Sequence, residues 1–413
     1  MYEKALKQAV LMWTAGLLMS SGWAQTKLAT VDLASHGSMT RAELNVQHPI
    51  PDPPPKYKGY TVAGPPGGIA WFGMGTVAAD GNGHVFVALP IWASGAAPKN
   101  PLRGQGDKLR LLVVNGAGKG DVQHTIDFPT TSLDRVALSV ASDGTPLVFA
   151  GDTLIRIGTD GNPTAKLSVP NEQRDYEVWS LATSTTGRTV RLRLNAKHLM
   201  VVDSASLKVL KQCPDDADGN DQGTFTDNLG LSSQVEADKP NLIYGLEREA
   251  FCAKRERLTQ FGDITFGPTI VDDERLLAIS SGAMALRKLS GETVWTSKPP
   301  AEVAFYGPEG EARLSRDGRR VAVLLKRNIK HQEPDSLNPI DQQNGTFRKV
   351  TTEAVPDSIG IWEVATGKMV GNASLAGRVE DRYLTPNPQF ALSQDGRLLA
   401  VVEEGALTLW RID

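Results

Sequence analysis

One stretch near the end of the chain, residues 388–413, contains a complete strand–turn–strand–turn–strand unit. Its apolar runs are separated by the turn residues Asp395-Gly396 and Glu404-Gly405. Asp-Gly between apolar runs is a strong hairpin signal, because the turn needs a positive φ that glycine adopts without steric strain. A unit of this kind cannot bury both of its faces alone, so it predicts stacking against copies of itself.

Six units with the same pattern precede this one. The first five span roughly 71–128, 134–169, 177–210, 223–258 and 264–296, and the sixth carries its first turn at Ser315–Arg319. The fourth unit has the weakest strand pattern. Few windows show the 3.6-residue period of an amphipathic helix. The sequence therefore predicts an all-β fold, a single seven-bladed β-propeller.

The two ends of the chain are complementary. The seventh unit has three strands where the others offer four, and residues 26–33 form a lone strand without a unit of its own. We expect this N-terminal strand to complete the last blade, which would close the ring and remove an exposed strand edge.

Residues 1–24 have the composition of an export signal. Two lysines precede an apolar run from Ala9 to Leu18, and small residues at Gly22 and Ala24 suit a signal peptidase. The run is shorter than the roughly 20 residues that a membrane-spanning helix needs. We expect cleavage near Ala24 and a periplasmic or secreted protein that does not insert into a membrane.

The rest of the chain divides into two parts. Residues 25–70 hold the closing strand and a connector with seven prolines, and residues 71–413 hold the propeller. Proline-rich segments favour extended polyproline geometry over helix or sheet. We expect the connector to run as an ordered strap along the surface.

Net charge and cysteine content bear on the class of partner and on disulfide formation. The formal net charge of −3 is too small to indicate nucleic-acid binding. The basic run from Arg313 to Lys330 is interpreted as a solvated strand face and turn. Because an exported protein meets an oxidising compartment, the two cysteines, Cys213 and Cys252, are expected to form a disulfide, with buried unpaired thiols as the alternative.

Local motifs for catalysis are missing from the sequence. The six histidines are scattered, without metal-ligand spacing, and no nucleophile elbow is present. We therefore expect no catalytic residue, no resident metal and no cofactor, although distant residues could still converge at the centre of a propeller. Residues 216–227 partly match a calcium loop, and this possibility stays open. Asn344 and Asn372 begin glycan acceptor sequences, which matter only in a host that glycosylates.

Two turns carry a family resemblance. The Ser-x-Asp-Gly-Arg turns at 315–319 and 393–397 are each followed by an apolar strand and then by a strand ending in Trp362 or Trp410. This arrangement resembles the WD-repeat β-propeller family, whose members are mostly binding platforms. Residues 285–295, which end in Trp295, are similar to the tryptophan-docking repeat of quinoprotein dehydrogenases, in which the tryptophan packs between blades.

Two long insertions carry the functional prediction. Residues 89–107 and 328–355 each interrupt a unit between its second and third strands, so both should emerge on one face, where long loops are more often functional than idle. We predict an exported, non-enzymatic, monomeric recognition protein that binds a protein or glycan at the propeller rim. The candidate binding anchors are Trp92, Leu102, Ile329, Leu337, Ile340 and Phe347.

The rival prediction is a propeller enzyme. A quinoprotein dehydrogenase or a lactonase of this architecture would place a quinone, a metal or several ionisable groups in the central channel. The residues that line the central channel therefore distinguish the enzyme from the binding protein.

Overall fold

A computed structural model describes most of the predicted strands. The described residues are 25–37, 76–91, 108–129, 137–150, 153–158, 160–169, 178–194, 198–214, 225–234, 243–248, 256–257, 268–280, 282–305, 312–334, 347–375, 388–403 and 405–413. Residues 1–24 and the whole Pro-rich connector lie outside this set. The export signal, the strap and the domain boundaries therefore stay predictions.

The described chain contains twenty-eight strands and one short 3-10 helix, Ala34–His36. The first fourteen strands are β1 Gln25–Asp32, β2 Thr76–Ala79, β3 His84–Ile91, β4 Lys108–Asn115, β5 Val122–Pro129, β6 Ala137–Val140, β7 Pro146–Ala150, β8 Thr153–Ile157, β9 Pro163–Ser168, β10 Val178–Thr183, β11 Thr189–Leu194, β12 His198–Asp203, β13 Val209–Pro214 and β14 Leu229–Gln234. The others are β15 Ile243–Arg248, β16 Glu256–Arg257, β17 Thr269–Ile270, β18 Arg275–Ile279, β19 Met284–Lys288, β20 Thr293–Ser297, β21 Val303–Phe305, β22 Arg313–Leu314, β23 Arg320–Pro334, β24 Phe347–Glu363, β25 Met369–Ser374, β26 Gln389–Leu392, β27 Leu398–Glu403 and β28 Ala406–Ile412.

The strands form seven small antiparallel sheets, which follow one another along the chain. Sheet 1 comprises β2–β5, sheet 2 β6–β9, sheet 3 β10–β13, sheet 4 β14–β16, sheet 5 β17–β20, sheet 6 β21–β25, and sheet 7 β26–β28 together with β1. In sheet 6, β21 and β22 both pair with β23. The fold is all-β and has the β-propeller arrangement predicted from the repeated units.

The prediction of seven blades is wrong, because among the described residues six sheets have four or more strands and sheet 4 has only three. Two of its strands span six residues each, and the third, Glu256–Arg257, spans two. The surrounding sequence is rich in Asp, Gly, Asn and Pro, residues that are depleted in strands. Residues 250–252, a further apolar run of this unit, lie outside the described residues.

The N-terminal strand joins the last sheet. β1 pairs with β28 in antiparallel register from Gln25 opposite Ile412 to Asp32 opposite Ala406. The Gln25 side-chain amide also contacts the neighbouring sheet: its Nε2 donates to the carbonyl of Asn372 in β25, and its Oε1 accepts from the Asn372 backbone N–H at 2.7 Å. The first described residue thus connects sheets 6 and 7.

The two Ser-x-Asp-Gly-Arg turns share one hydrogen-bond pattern. The hydroxyl of Ser315 donates to Asp317 at 2.7 Å and accepts from the Arg320 backbone N–H at 2.9 Å. Ser393 makes the equivalent bonds at 2.6 and 2.9 Å. Gly318 and Gly396 have φ of +68° and +69°, as the turn prediction requires.

Neighbouring sheets pack through shared apolar clusters. Separate clusters join sheets 1 and 2, sheets 2 and 3, sheets 5 and 6, sheets 6 and 7, and sheets 7 and 1. Between sheets 5 and 6, the Trp295 indole N–H donates to the Val364 carbonyl at 2.8 Å. Trp295 therefore lies between sheets, the position that the tryptophan-docking resemblance implies.

Sheet 4 is attached to its neighbours by the segment that precedes it. Phe225 is fully buried against Leu199 and Val201 of sheet 3. The Asp227 carboxylate accepts hydroxyl hydrogen bonds from Thr186 at 2.6 Å and Thr189 at 2.8 Å, both in sheet 3.

On the other side of this segment, the Asp273 carboxylate of sheet 5 accepts hydrogen bonds from the Thr226 hydroxyl and from Asn228 Nδ2, the latter at 2.9 Å. Residues 225–228 therefore bridge sheets 3 and 5. Two aspartates thus carry much of the polar attachment of the smallest sheet.

Asp227→Asn is expected to destabilise the fold by about 1 kcal/mol at neutral pH, since the amide presents only one acceptor oxygen to two hydroxyl donors. Burial alone would raise the pKa of Asp227, but hydrogen bonds from Thr186, Ser184 and Thr189 outweigh it and hold the pKa below its usual value. A folded-state pKa below the unfolded one contributes stability above the unfolded pKa that is lost as pH falls through the folded pKa. Urea unfolding at neutral and acidic pH should therefore show a smaller acid loss in the variant.

Asp160→Asn is the control for this prediction. The Asp160 carboxylate accepts from the backbone N–H and the side-chain amide of Asn162, within its own turn, at 3.0 and 2.9 Å. Equal losses of unfolding free energy in the two variants would show that the hydrogen bonds of Asp227 to sheet 3 stabilise the fold no more than a bond within one turn.

Candidate functional site

The first turns of sheets 1, 2, 3, 6 and 7 lie close together, and hydrogen bonds join them to one another. The Gln394 backbone N–H of sheet 7 donates to the Asp80 carbonyl of sheet 1 at 3.2 Å, and the Gln394 carbonyl accepts from Asp317 of sheet 6 at 3.0 Å. The Ser142 N–H of sheet 2 donates to the Gly187 carbonyl of sheet 3 at 2.9 Å. We call this end of the molecule the turn end.

Arg316 crosses the axis at the turn end. It belongs to the turn before β23 in sheet 6, yet its guanidinium donates to the carbonyls of Val140 and Ala141 in sheet 2. The same guanidinium lies against Gly187 of sheet 3, where any side-chain Cβ would overlap it. The Gln394 amide also donates to Ala141, at 3.4 Å. Arg316 thus links three sheets that are not all neighbours along the chain.

Charges around Arg316 are balanced by close partners. Burial lowers the pKa of Arg316 to about 10, while the negative charge of Asp143 favours its protonated form. Burial alone would raise the pKa of Asp143, but hydrogen bonds from Thr145 and Arg156 hold it below its usual value. Arg156 donates to both the Asp143 carboxylate and the Thr145 hydroxyl, the latter at 3.0 Å. Opposite charges therefore meet at this end of the axis at neutral pH.

Sequence reasoning missed this role of Arg316. The basic run was interpreted as solvated, and that is wrong for two of its members, because burial lowers the pKa of Arg313 to about 10 as well. Arg319 and Arg327 do have exposed side chains. The equivalent position in the last unit is Gln394, whose side-chain amide donates to the same Ala141 carbonyl.

The contacts described at the turn end join sheets to one another. Within the described ranges, no group of three His, Cys, Asp or Glu side chains could hold a metal ion. At this end the described residues include one histidine–carboxylate contact, in which His84 Nδ1 lies 2.8 Å from the buried Asp80 carboxylate. That carboxylate also accepts two backbone N–H groups of its own turn, which is the bonding of a turn-stabilising aspartate.

The opposite end carries the most unusual element of the fold. β23 and β24 are the longest strands, with 15 and 17 residues, and they pair with each other along their whole length. Sheet 6 covers β23 only as far as Arg327, which pairs with Val303 of β21. It covers β24 only from Asp357 onward, where the Leu375 N–H donates to the Asp357 carbonyl at 3.1 Å.

Beyond this base, the two strands continue as a two-stranded ribbon. Seven residue pairs follow, from Asn328 opposite Ala354 to Pro334 opposite Phe347. At 3.3 Å per residue, this ribbon extends about 20 Å past the sheet. We call residues 328–334 and 347–354 the arm.

The arm corrects the prediction of an irregular insertion at 328–355, since strand pairing continues through most of it and only residues 335–346 lie outside the described part. Of the candidate anchors, Ile329 lies in β23 opposite Glu353, and Phe347 lies in β24 opposite Pro334. Trp92, Leu102, Leu337 and Ile340 are outside the described residues. The structure therefore places two anchor positions on the arm and leaves the others untested.

The topology confirms where the two insertions emerge. Each connects the second and third strands of its sheet, β3 to β4 and β23 to β24. Loops of an antiparallel sheet alternate between its two ends, and the first turns of these sheets lie at the turn end. The second connections therefore lie at the opposite end, which we call the arm end.

The structure describes only part of the predicted disulfide, calcium loop and glycan acceptor sites. Cys213 lies in β13 opposite Leu199, but Cys252 is not among the described residues, so the disulfide stays a prediction. Asp227, the last position of the candidate calcium loop, bonds to Thr186 and Thr189, and residues 216–224 are not described. Asn372 lies within β25, where Gln25 bonds to its backbone and its side-chain Oδ1 is buried, and its glycan acceptor role stays a prediction.

Comparison with family models finds no match for this chain, and comparison with curated proteins finds none either. Among the described residues, no helix has the length and apolar composition of a membrane-spanning segment.

Proposed function

We propose that this chain is an exported recognition protein, related in architecture to WD-repeat propellers, whose partner is a protein or a glycan bound at the arm end. The proposal includes export with cleavage near Ala24 and the absence of catalysis. The single observation that carries it is the arm, which extends past its sheet by seven residue pairs and fills no position within the blade.

We further infer that the seven sheets form one closed ring, with sheet 4 as an incomplete blade. Apolar clusters between sheets 6 and 7 and between sheets 7 and 1 support this inference, as does the pairing of β1 with β28. The hydrogen bonds of residues 225–228 to sheets 3 and 5 provide the remaining links. In a closed ring, β1 would protect the edge of the last blade.

The location of the polar groups also favours binding over catalysis. At the turn end, Arg316 and Gln394 reach across the axis to main-chain carbonyls of sheet 2. A ligand in the channel would have to displace these contacts or enter from the arm end. A two-stranded ribbon is by contrast marginally stable alone, so an ordered one that persists outside a sheet is better explained by a surface that it contacts.

Removing the arm tests the proposal. A variant in which a short Gly-Ser turn joins Arg327 to Val355 deletes residues 328–354. It keeps Arg327 opposite Val355, the last residue pair before the arm. We expect a pull-down from the exported fraction to lose the partner with this variant. A control with a Gly-Ser replacement of the turn at 159–162, on the turn end, should keep it.

An unchanged set of captured molecules would contradict the proposal and leave the arm a structural extension only. The alternative function, a propeller enzyme of the quinoprotein-dehydrogenase or lactonase type, would be favoured if the purified protein carried a quinone or a metal and kept an activity without the arm.

A further inference from the structure

The outer edge of β24 in the arm has no partner strand among the described residues. β25 and Leu375 cover β24 only up to Asp357, and β23 occupies its other side. Unpaired strand edges present main-chain donors and acceptors that readily add another strand. Because Val350, Thr351, Thr352 and Val355 are β-branched, this edge also has high strand propensity.

The sequence of this edge is complementary to itself when it is read in the opposite direction. With Thr351 placed opposite Thr351 of a second copy, Lys349 falls opposite Glu353 and Val350 falls opposite Thr352. A two-fold axis pairs a strand with its own copy in antiparallel register, so each favourable pair occurs twice. Opposite charges and β-branched residues are the cross-strand pairs that stabilise antiparallel sheets.

The geometry points to a homodimer in which the β24 edges of two arms pair about a two-fold axis at Thr351, forming a four-stranded sheet between two propellers. The second strand would run in the same direction as β25. Phe347 of the second copy would lie opposite Val355, just beyond the point where the Leu375 N–H donates to the Asp357 carbonyl. In each outer row, Lys349 would lie between Glu333 of its own arm and Glu353 of the other copy. The charges along that row alternate in sign.

The same arrangement limits assembly to two copies. After dimerisation the outer edges of the sheet are the β23 segments Asn328–Pro334, which contain proline, asparagine, lysine and glutamine. These residues have low strand propensity, and Lys and Pro are typical protective residues on edge strands. Pairing through β24 therefore closes the assembly, whereas pairing through β23 would be needed to extend it.

This dimer is independent of the proposed external partner, because it requires only the purified chain. It would replace the expectation of a monomer. Loss of the partner on deleting the arm and loss of the dimer on changing one charge are separate results, so either proposal can fail while the other stands.

Exchanging the charges of the Lys349–Glu353 pairs tests the dimer. Lys349→Glu and Glu353→Lys each place like charges opposite one another twice, and each should raise the dimer dissociation constant by about tenfold or more in sedimentation velocity. The doubly exchanged variant should recover most of this loss, while Lys349→Glu still faces Glu333 of its own arm. A one-to-one mixture of the two single variants should form a heterodimer, because every pair across the interface is then Glu with Lys.

Three results in sedimentation velocity would overturn the inference: a wild-type chain that is monomeric at its highest soluble concentration, a dimer that neither single variant weakens, or a mixture of the single variants that stays monomeric. Circular dichroism should show both variants folded, since the substitutions lie outside the sheets. Hydrogen exchange tests the alternative that residues 376–387 of the same chain cover the β24 edge. If the amides of 349–353 are equally protected in the wild type and in monomeric Lys349→Glu, this alternative holds and the dimer is excluded.

Discussion

Trp362→Ala is expected to lower the free energy of unfolding by about 3–5 kcal/mol, the typical loss for removing a fully buried large aromatic side chain. Trp362 has no exposed surface and lies in the cluster that joins sheets 5 and 6. Its ring centroid is 5.4 Å from that of Phe305, and its indole N–H donates to the Ser297 hydroxyl of sheet 5 at 3.2 Å. The substitution would therefore open a cavity and leave a hydrogen-bond acceptor unpaired.

Trp410 provides the matched control, because it occupies the corresponding position in the last unit. It is only partly buried against the cluster of sheets 6 and 7. Trp410→Ala should consequently lower stability by clearly less than Trp362→Ala when both are measured by urea unfolding. Equal losses would mean that burial between the blades does not determine the contribution of these tryptophans.

Gly360 supplies a second check on the same contact. A Cβ at this position would overlap the Trp362 indole, so the glycine is the reason that the ring fits over its own strand. Gly360→Ala should displace the ring and destabilise the protein, although alanine normally favours strand structure over glycine. A neutral or stabilising result would contradict this account of the packing.

Local patterns in the sequence predicted the repeated units well, because each depends on residues close together in the chain. The Asp-Gly turns at 315–319 and 393–397 needed only positive φ and a nearby serine, and both form as expected. The pairing of residues 26–33 with the last unit followed from counting strands, since a lone strand and an incomplete blade complement each other.

Features that depend on distant contacts were not predictable in the same way. Arg316 resembles any solvated turn arginine until sheets 2 and 6 are placed across one axis. The continuation of β23 and β24 past their sheet was also missed, because Asn328–Glu333 has a weak strand pattern and is stabilised by its partner strand rather than by its own residues. Sheet 4 has one strand fewer than expected among the described residues, because the sequence around it favours turns over strands.

The second large effect concerns Arg316. Arg316→Ala is expected to lower the free energy of unfolding by roughly 2–3 kcal/mol, because the carbonyls of Val140 and Ala141 lose a charged donor at the axis. The estimate lies below the sum of two charge-assisted hydrogen bonds, since burial of the guanidinium already offsets part of their energy. The lowered pKa of about 10 reflects that burial, and it leaves the group charged at neutral pH.

Two further substitutions make this prediction specific. Arg319→Ala, in the same turn, removes a side chain that is 82% exposed and lies 3.7 Å from Asp317, so its effect should stay within about 0.5 kcal/mol. Arg316→Lys keeps the charge but cannot donate two hydrogen bonds in the fixed geometry of a guanidinium, and it should recover only part of the loss.

The order of stabilities at neutral pH should therefore be wild type and Arg319→Ala first, then Arg316→Lys, then Arg316→Ala. If Arg316→Ala unfolded at the same urea concentration as Arg319→Ala, the contacts across the axis would contribute nothing. The turn end would then be held only by the apolar clusters between adjacent sheets, and the axis would be free to accept a ligand from either end.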